Sequence, residues 1–223
     1  PVICFLLRHP QGNVLFDTGC HPSIAETPEE RWGGMAKFMT PLHARRENVV
    51  DELATLGLGP ADIDLVVNSH LHTDHCGCNA FFTNATFIVH ADELATAQAP
   101  DASKKGYLGI DWQHPMPIDP ITGQRDVFGD GRIVLVPVPG HTPGSTGALV
   151  ALERSGRFFL ASDAVALAEI IEHDYPARNN WDQDAALRSL AEIRRIAAQG
   201  ANVVYGHDLA QWDALRKGAH AYD

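Results

Sequence analysis

One short run constrains this 223-residue chain more than any other: SHLHTDHCG at residues 69–77. It places His70, His72, Asp74 and His75 within six positions, directly after the apolar run Leu65–Val67. A short strand delivers its side chains at a fixed point, and the turn that follows folds them round a centre. Side chains alternate sides in an extended segment, so His70 and His72 point the same way while Asp74 and His75 swing elsewhere. Imidazole and carboxylate together suit zinc and its borderline neighbours. The run is expected to start two metal sites, whose remaining ligands must come from equally rigid positions.

Three later positions repeat the design. His141 follows residues 134–139 in PGHTPG, Asp163 follows residues 158–161 in LASDA, and His207 follows residues 203–205 in YGHD. Each is a metal-capable side chain close behind an apolar strand, flanked by small or turn-forming residues. Beside HLHTDH they read as the missing ligands. His9, His21, His43, His114, His173 and His220 lack that context and read as surface or capping residues; His90, at a strand end, reaches at most the rim of the site.

The surrounding elements alternate. Residues 2–7 and 13–16 are apolar runs around an HPQG turn, a hairpin signal. Strands are expected over residues 65–67, 85–90, 132–138, 147–152, 157–161 and 201–205, with a helix from about residue 42 to 57. A second helix is expected over residues 182–199, where Ala185, Leu187, Leu190, Ile193, Ile196 and Ala197 recur at helical spacing before Gly200. Residues 100–123 carry several prolines and little periodicity, and read as a long ordered loop or lid. Short strands separated by helices predict a layered α/β fold, a single domain over residues 1–223, with a loose likeness between its halves.

Composition narrows the partners. A formal net charge of −11 opposes phosphate backbones over most of the surface, so no nucleic-acid partner is expected. No apolar run is long enough to cross a bilayer, and no membrane partner is expected either. Cys4, Cys20, Cys76 and Cys78 are too few and too uneven for a disulfide framework, which fits a reducing, cytoplasmic setting. Cys76, beside His75, reads as a small buried residue and not as a nucleophile. The chain has no P-loop, no dinucleotide fingerprint, no GxSxG elbow and no HExxH helix.

HLHTDH, followed by His141, Asp163 and His207, resembles the metallo-β-lactamase superfamily of αββα-sandwich hydrolases. FDTG at residues 16–19 and PGHTPGS at residues 139–145 resemble loops of that family. VVNSHLHTDHCG, SDA at residues 162–164 and YGHD at residues 205–208 are most similar to its N-acyl-homoserine lactonase branch, a quorum-quenching group. The resemblance implies a four-layer sandwich and two Zn2+ ions, other divalent metals serving as alternatives. His70, His72 and His141 would hold one ion, Asp74, His75 and His207 the other, and Asp163 would bridge them. It further implies hydrolysis of a small-molecule lactone by a metal-bridging hydroxide, with Asp74 passing a proton to the leaving oxygen and Asp163 setting the intermetal distance. A monomer or homodimer is expected.

Other residues are assigned around that centre. Asp17, in FDTG, is expected either to orient His70 or Asp74 from behind or to close an Asx-turn of its own. Trp32, Met35, Phe38 and Met39 form an apolar set in the region that makes the family's substrate mouth, where they would either receive an acyl tail or simply pack a short helix into the core. Two departures matter. The branch carries a tyrosine three residues after the bridging aspartate, where this chain has Ala166; Tyr107, Tyr175 and Tyr205 are the candidates to replace its hydroxyl. The sequence also begins after the place of the family's usual first strand and its loop; without them a more open site or an impaired activity is expected. The rival expectations are a thioester or phosphodiester hydrolase of the same fold, or a metal-binding protein with vestigial activity.

Overall fold

The HPQG turn joins β1 (Phe5–His9) to β2 (Gly12–Phe16), an antiparallel pair with Phe5 opposite Phe16 and His9 opposite Gly12. The hairpin forms as expected, with Pro10 and Gln11 alone between the strands. In the computed structural model, which describes residues 1–42 and 44–223, β2 runs parallel to β3 (Leu65–Val67) and β3 parallel to β4 (Thr86–His90). β5 (Ile118–Ile121) completes this sheet in the order β1-β2-β3-β4-β5. His43 lies outside the described residues.

A second five-stranded sheet contains β6 (Arg125–Asp126), β7 (Ile133–Pro137), β8 (Thr146–Leu152), β9 (Gly156–Leu160) and β10 (Ala201–Val204), in the order β10-β9-β8-β7-β6. Its pairs are antiparallel except β10 with β9, which is parallel. The helices are α1 (Pro28–Trp32), α2 (Val49–Thr55), α3 (Thr73–Cys76), α4 (Ala91–Ala97), α5 (Gly109–Trp112), α6 (Ala168–Glu172), α7 (Gln183–Ala198) and α8 (Leu209–Ala214). The fold class is α/β.

The chain divides into two compact units, one of Val2–Ile88 with Ala95–Asp119, the other of Pro1, Val89–Leu94 and Pro120–Asp223. In the first, Val49 and Leu53, one turn apart on α2, pack with Leu15, Val66 and Phe87 from the sheet. In the second, Leu190, Ile193 and Ile196 make the buried stripe of α7 and pack with Val136 and Phe159. Asp182 caps α7 by accepting from the Ala185 N–H at 2.8 Å.

Two expectations need correction. The helix expected from about residue 42 starts at Val49, because the Asn48 side chain accepts from the N–H groups of Val50 and Asp51 and sets the helix start there. Residues 100–123 are not a bare loop: they hold a 3-10 turn at Ala102–Lys105, α5 and β5.

Candidate metal centre

Four of the seven candidate ligands belong to the first unit and stand just past β3. The Asn68 N–H still donates to Ile88 O at 3.0 Å, so sheet pairing reaches one residue beyond the strand before the backbone turns away. Asp17 occupies the matching place after β2. It is buried, has a φ of +59°, and donates its N–H to Val67 O at 2.8 Å. That left-handed conformation is one an aspartate tolerates better than most residues.

From this point Asp17 organises the loop. One carboxylate oxygen accepts from the Ser69 N–H at 2.7 Å. The other accepts from the Ser69 hydroxyl at 2.7 Å and lies 2.9 Å from His75 Nδ1. Ser69 Oγ, its single proton given to Asp17, accepts from His70 Nδ1 at 3.0 Å. The network thereby assigns the Nδ1–H tautomer to both His70 and His75, leaving each Nε2 as an acceptor. Asp17 thus touches His75 directly and His70 through Ser69.

His70 Nε2 lies 3.1 Å from His72 Nδ1. Such a pair needs either a shared proton or a shared cation between its nitrogens. The ring of His72 rests against the buried Tyr107, centroids 4.9 Å apart at 61°. Asp74 and His75 ride on α3, with Asp74 Oδ2 3.5 Å from His75 Nε2. The Asp74 side chain is 33% exposed and that of His75 only 3%, so the carboxylate is the member of this set that meets solvent.

The remaining three belong to the second unit, and backbone contacts position them. Gly140 lies so close to α7 that a Cβ there would fall 2.5 Å from Ala186 Cα. The Pro139 carbonyl accepts from Ser189 Oγ at 2.6 Å, and the His141 carbonyl from the Trp181 N–H at 3.1 Å. His207 donates its N–H to Ala166 O at 2.8 Å, and Gly206 its own to Val165 O at 3.0 Å. Asp163 divides its carboxylate: Oδ1 lies 2.9 Å from His207 Nε2 and Oδ2 3.4 Å from His141 Nε2. One carboxylate thus offers a different oxygen to each of two imidazoles.

The other candidates fall in varied places. Trp32 is buried and donates its indole N–H to Thr73 Oγ1 at 2.9 Å. Met35 is half-buried, whereas Phe38 is 89% exposed and Met39 is exposed. Ala166 is half-buried and packs against the α7 core, besides receiving the His207 N–H. Of the three tyrosines, Tyr107 meets His72, Tyr175 is exposed, and Tyr205 lines a cleft of about 640 Å³ with Phe158, Gln211 and Tyr222. Cys76 is buried, its thiol 3.5 Å from Leu71 O, and burial pushes its pKa up, so it is no nucleophile. His90 is buried and accepts the Asp92 N–H at its own Nδ1.

Sequence reasoning gave no role to Ser69, Thr73, Arg31 or Asp111. Ser69 sits inside the motif, and its place before the first ligand was the available signal. Arg31 and Asp111 are far from the motif in sequence and carry no local signature; only the fold unites them with it.

The donors fit a divalent cation: imidazoles, those of His70 and His75 held at Nδ1 by Ser69 and Asp17, with carboxylates beside them. His and Asp residues among these candidates form groups able to coordinate divalent metal ions. Among the described residues, no helix is long and apolar enough to cross a membrane.

Known proteins resemble this chain along its whole length. It is 34% identical over 241 residues to the N-acyl homoserine lactonase AttM of Azorhizobium caulinodans, covering 100% of this chain and 88% of that one. It is likewise 34% identical over 239 residues to AttM of Agrobacterium fabrum, covering 100% and 87%. Among solved structures, an N-acyl homoserine lactone hydrolase with N-hexanoyl-L-homoserine at its catalytic metal centre superposes with a TM-score of 0.86 at 28% identity, over 97% of this chain and 84% of that one. A mutant of AiiA from B. thuringiensis with N-decanoyl-L-homoserine at its active site gives the same TM-score, 0.86, at 28% identity and the same coverage, 97% and 84%. Two sheets flanked by helices are consistent with the four-layer αββα sandwich of such proteins. Residues 1–207 match the model of the metallo-beta-lactamase superfamily, and with the motif, the fold and the relatives in agreement, the chain belongs to that superfamily and resembles its N-acyl-homoserine lactonase branch.

Proposed function

We propose that the protein is a dizinc hydrolase that opens the ring of an N-acyl-homoserine lactone. In this reading His70, His72 and His141 hold one ion, Asp74, His75 and His207 hold the other, and Asp163 serves both. The observation that carries it is the pairing of His70 Nε2 with His72 Nδ1 at 3.1 Å while Ser69 and Asp17 engage His70 from behind. The division of Asp163 between two histidines supports it further. Relatives named as lactonases, matched over the whole chain, supply the substrate class.

Bound ions would supply Lewis-acid polarisation of the ester carbonyl and a water of lowered pKa. The chain's own residues do the rest. Asp17 and Ser69 hold the imidazoles of His70 and His75 in the ligating tautomer. Asp74, the solvent-accessible carboxylate of the set, is placed to take a proton and return it to the leaving alkoxide oxygen when the ring opens. Asp163 keeps the two sets of ligands at one spacing. At Ala166 the chain offers no hydroxyl to the substrate, so the reading assigns substrate hold to the metals and to other side chains.

The test is turnover of the zinc-reconstituted protein on an N-acyl-homoserine lactone, a thioester and a phosphodiester. The lactone is expected to be hydrolysed at least tenfold faster, in kcat/KM, than either rival. A thioester or phosphodiester in first place would replace the substrate class. Turnover of none of the three by a folded, metal-loaded protein would favour the vestigial metal-binding reading.

A further inference from the structure

The first unit buries a charge that the metal ligands do not account for. Asp111, on α5, is fully buried and pairs with Arg31 on α1: Arg31 Nε donates to Oδ1 at 2.8 Å and Nη2 lies 2.5 Å from the same atom. Burial pushes the Asp111 carboxyl above its ordinary range, against the pull of Thr73 and Arg31. A buried ion pair is weak evidence of stabilisation, because desolvation offsets most of the attraction. Its position is more informative than its energy.

The pair holds both ends of α3. Asp111 Oδ2 accepts from Thr73 Oγ1 at 2.6 Å, and Thr73 is the first residue of that helix. Arg31 Nη2 donates to Gly77 O at 3.4 Å, and Gly77 is the residue that caps its end. The Thr73 hydroxyl has no freedom left. Trp32 Nε1 can only donate, so Thr73 accepts from it at 2.9 Å and sends its one proton to Asp111. Four residues are far too few for a helix that stands by its own hydrogen bonds. What keeps this turn in place must come from outside, and Asp74 and His75 are the residues it carries.

We propose that Asp111 and Arg31 are positioning residues for Asp74 and His75, bracketing α3 at Thr73 and Gly77 so that one of the two metal positions depends on them and the other does not. The inference rests on the two-metal reading. His70 precedes α3 and is steadied by Ser69, and His72, whose carbonyl accepts the His75 and Cys76 N–H groups at the start of α3, rests its ring on Tyr107 outside the bracket. Trp32 then acts as a strut for Thr73 through its indole N–H, whatever its ring also lines.

The experiment compares the parent with Thr73→Val, which keeps the shape and removes the hydroxyl, and with Asp111→Asn. Apo-protein is titrated with Co2+, following the visible absorption of the bound ion and the bound stoichiometry, with near-ultraviolet circular dichroism as the check on folding. The expected result is two ions per parent chain. In the folded variants one ion should keep its parental affinity and the other bind about 10–100-fold more weakly. If Asp111→Asn does not fold, Thr73→Val alone decides. Parental affinity for both ions overturns the inference while sparing the two-metal reading. Equal weakening of both also overturns it, marking a general loosening of structure. A parent that takes up one ion or none overturns the two-metal reading and this inference with it.

Discussion

The two units solve one problem by different means. In the first, side chains hold side chains: Asp17 and Ser69 stand behind His70 and His75, and Trp32, Thr73, Asp111 and Arg31 hold the turn beneath Asp74. In the second, backbone holds backbone. His141 and His207 each follow a glycine pressed against a neighbouring element, and their main chains bond to Trp181 and Ala166. The difference teaches where each half is vulnerable. Chemistry-changing, shape-keeping substitutions should hurt the first set, and added bulk on the backbone should hurt the second.

The largest expected effect is steric. Gly140→Ala places a Cβ 2.5 Å from Ala186 Cα at a φ of +147°, where neither the strand end nor α7 can yield cheaply. A loss of about 3 kcal/mol is expected from such overpacking. Gly206→Ala, with its Cβ 2.7 Å from Ser162 O, should behave similarly. Urea unfolding measures both. A loss below about 0.5 kcal/mol in either variant, within the range of an ordinary surface change, would remove tight backbone packing as the support of the second set.

The next effect is chemical. Asp17→Asn keeps the size and tolerates the left-handed conformation, but replaces the carboxylate that accepts from Ser69 and His75. Hydrogen bonds to a buried charged group contribute roughly 1.5–3 kcal/mol, so a loss of about 2 kcal/mol is expected, with metal affinity falling about 10–100-fold. Equilibrium dialysis against zinc together with denaturant unfolding checks both numbers. Unchanged affinity would show that the His70 and His75 tautomers are set by something other than Asp17.

The same contrast explains what was legible in the sequence. Candidate ligands at strand ends stood out, because a His or Asp behind an apolar run is a local pattern. The helix α7 was legible for the same reason: its apolar residues repeat at 3.6-residue spacing and Asp182 and Gly200 bound it. The start of α2 was not, because residues 42–48 hold nothing that forbids a helix and the Asn48 cap decides the matter through its own side chain. Nor was the Arg31–Asp111 pair, whose partners meet only once α1 and α5 are both packed against α3. Within residues 100–123, β5 was hidden because Pro120 falls inside it and its residues do not follow its faces, Ile118 being exposed and Asp119 half-buried. Phe38 and Met39 are exposed whereas Trp32 is buried, a difference that the shared apolar character of these side chains did not signal.

The smallest expected effect lies outside both sets. His21 uses Nδ1 to cap the 3-10 turn Pro22–Ala25, and burial, helped by Arg31 and Arg45, lowers its pKa to about 4. The unfolded chain binds a proton at the ordinary histidine pKa, near 6.5, while the folded chain resists until about 4. The His21 contribution is therefore complete above about pH 6.5 and is lost as the pH falls towards 4. His21→Asn, which can still cap the turn, should flatten the stability profile of the parent in that window while leaving metal binding intact. A parental slope in the variant would assign the acid sensitivity to other groups.

The proposed function requires that the two differently supported sets serve one dinuclear centre. The direct measurement is the zinc content of reconstituted, desalted protein by elemental analysis, with anomalous scattering from its crystals to place the ions. The account predicts two ions per chain, with Asp163 as the one residue in contact with both. A folded protein that retains one ion or fewer, or two ions that share no ligand, would contradict it.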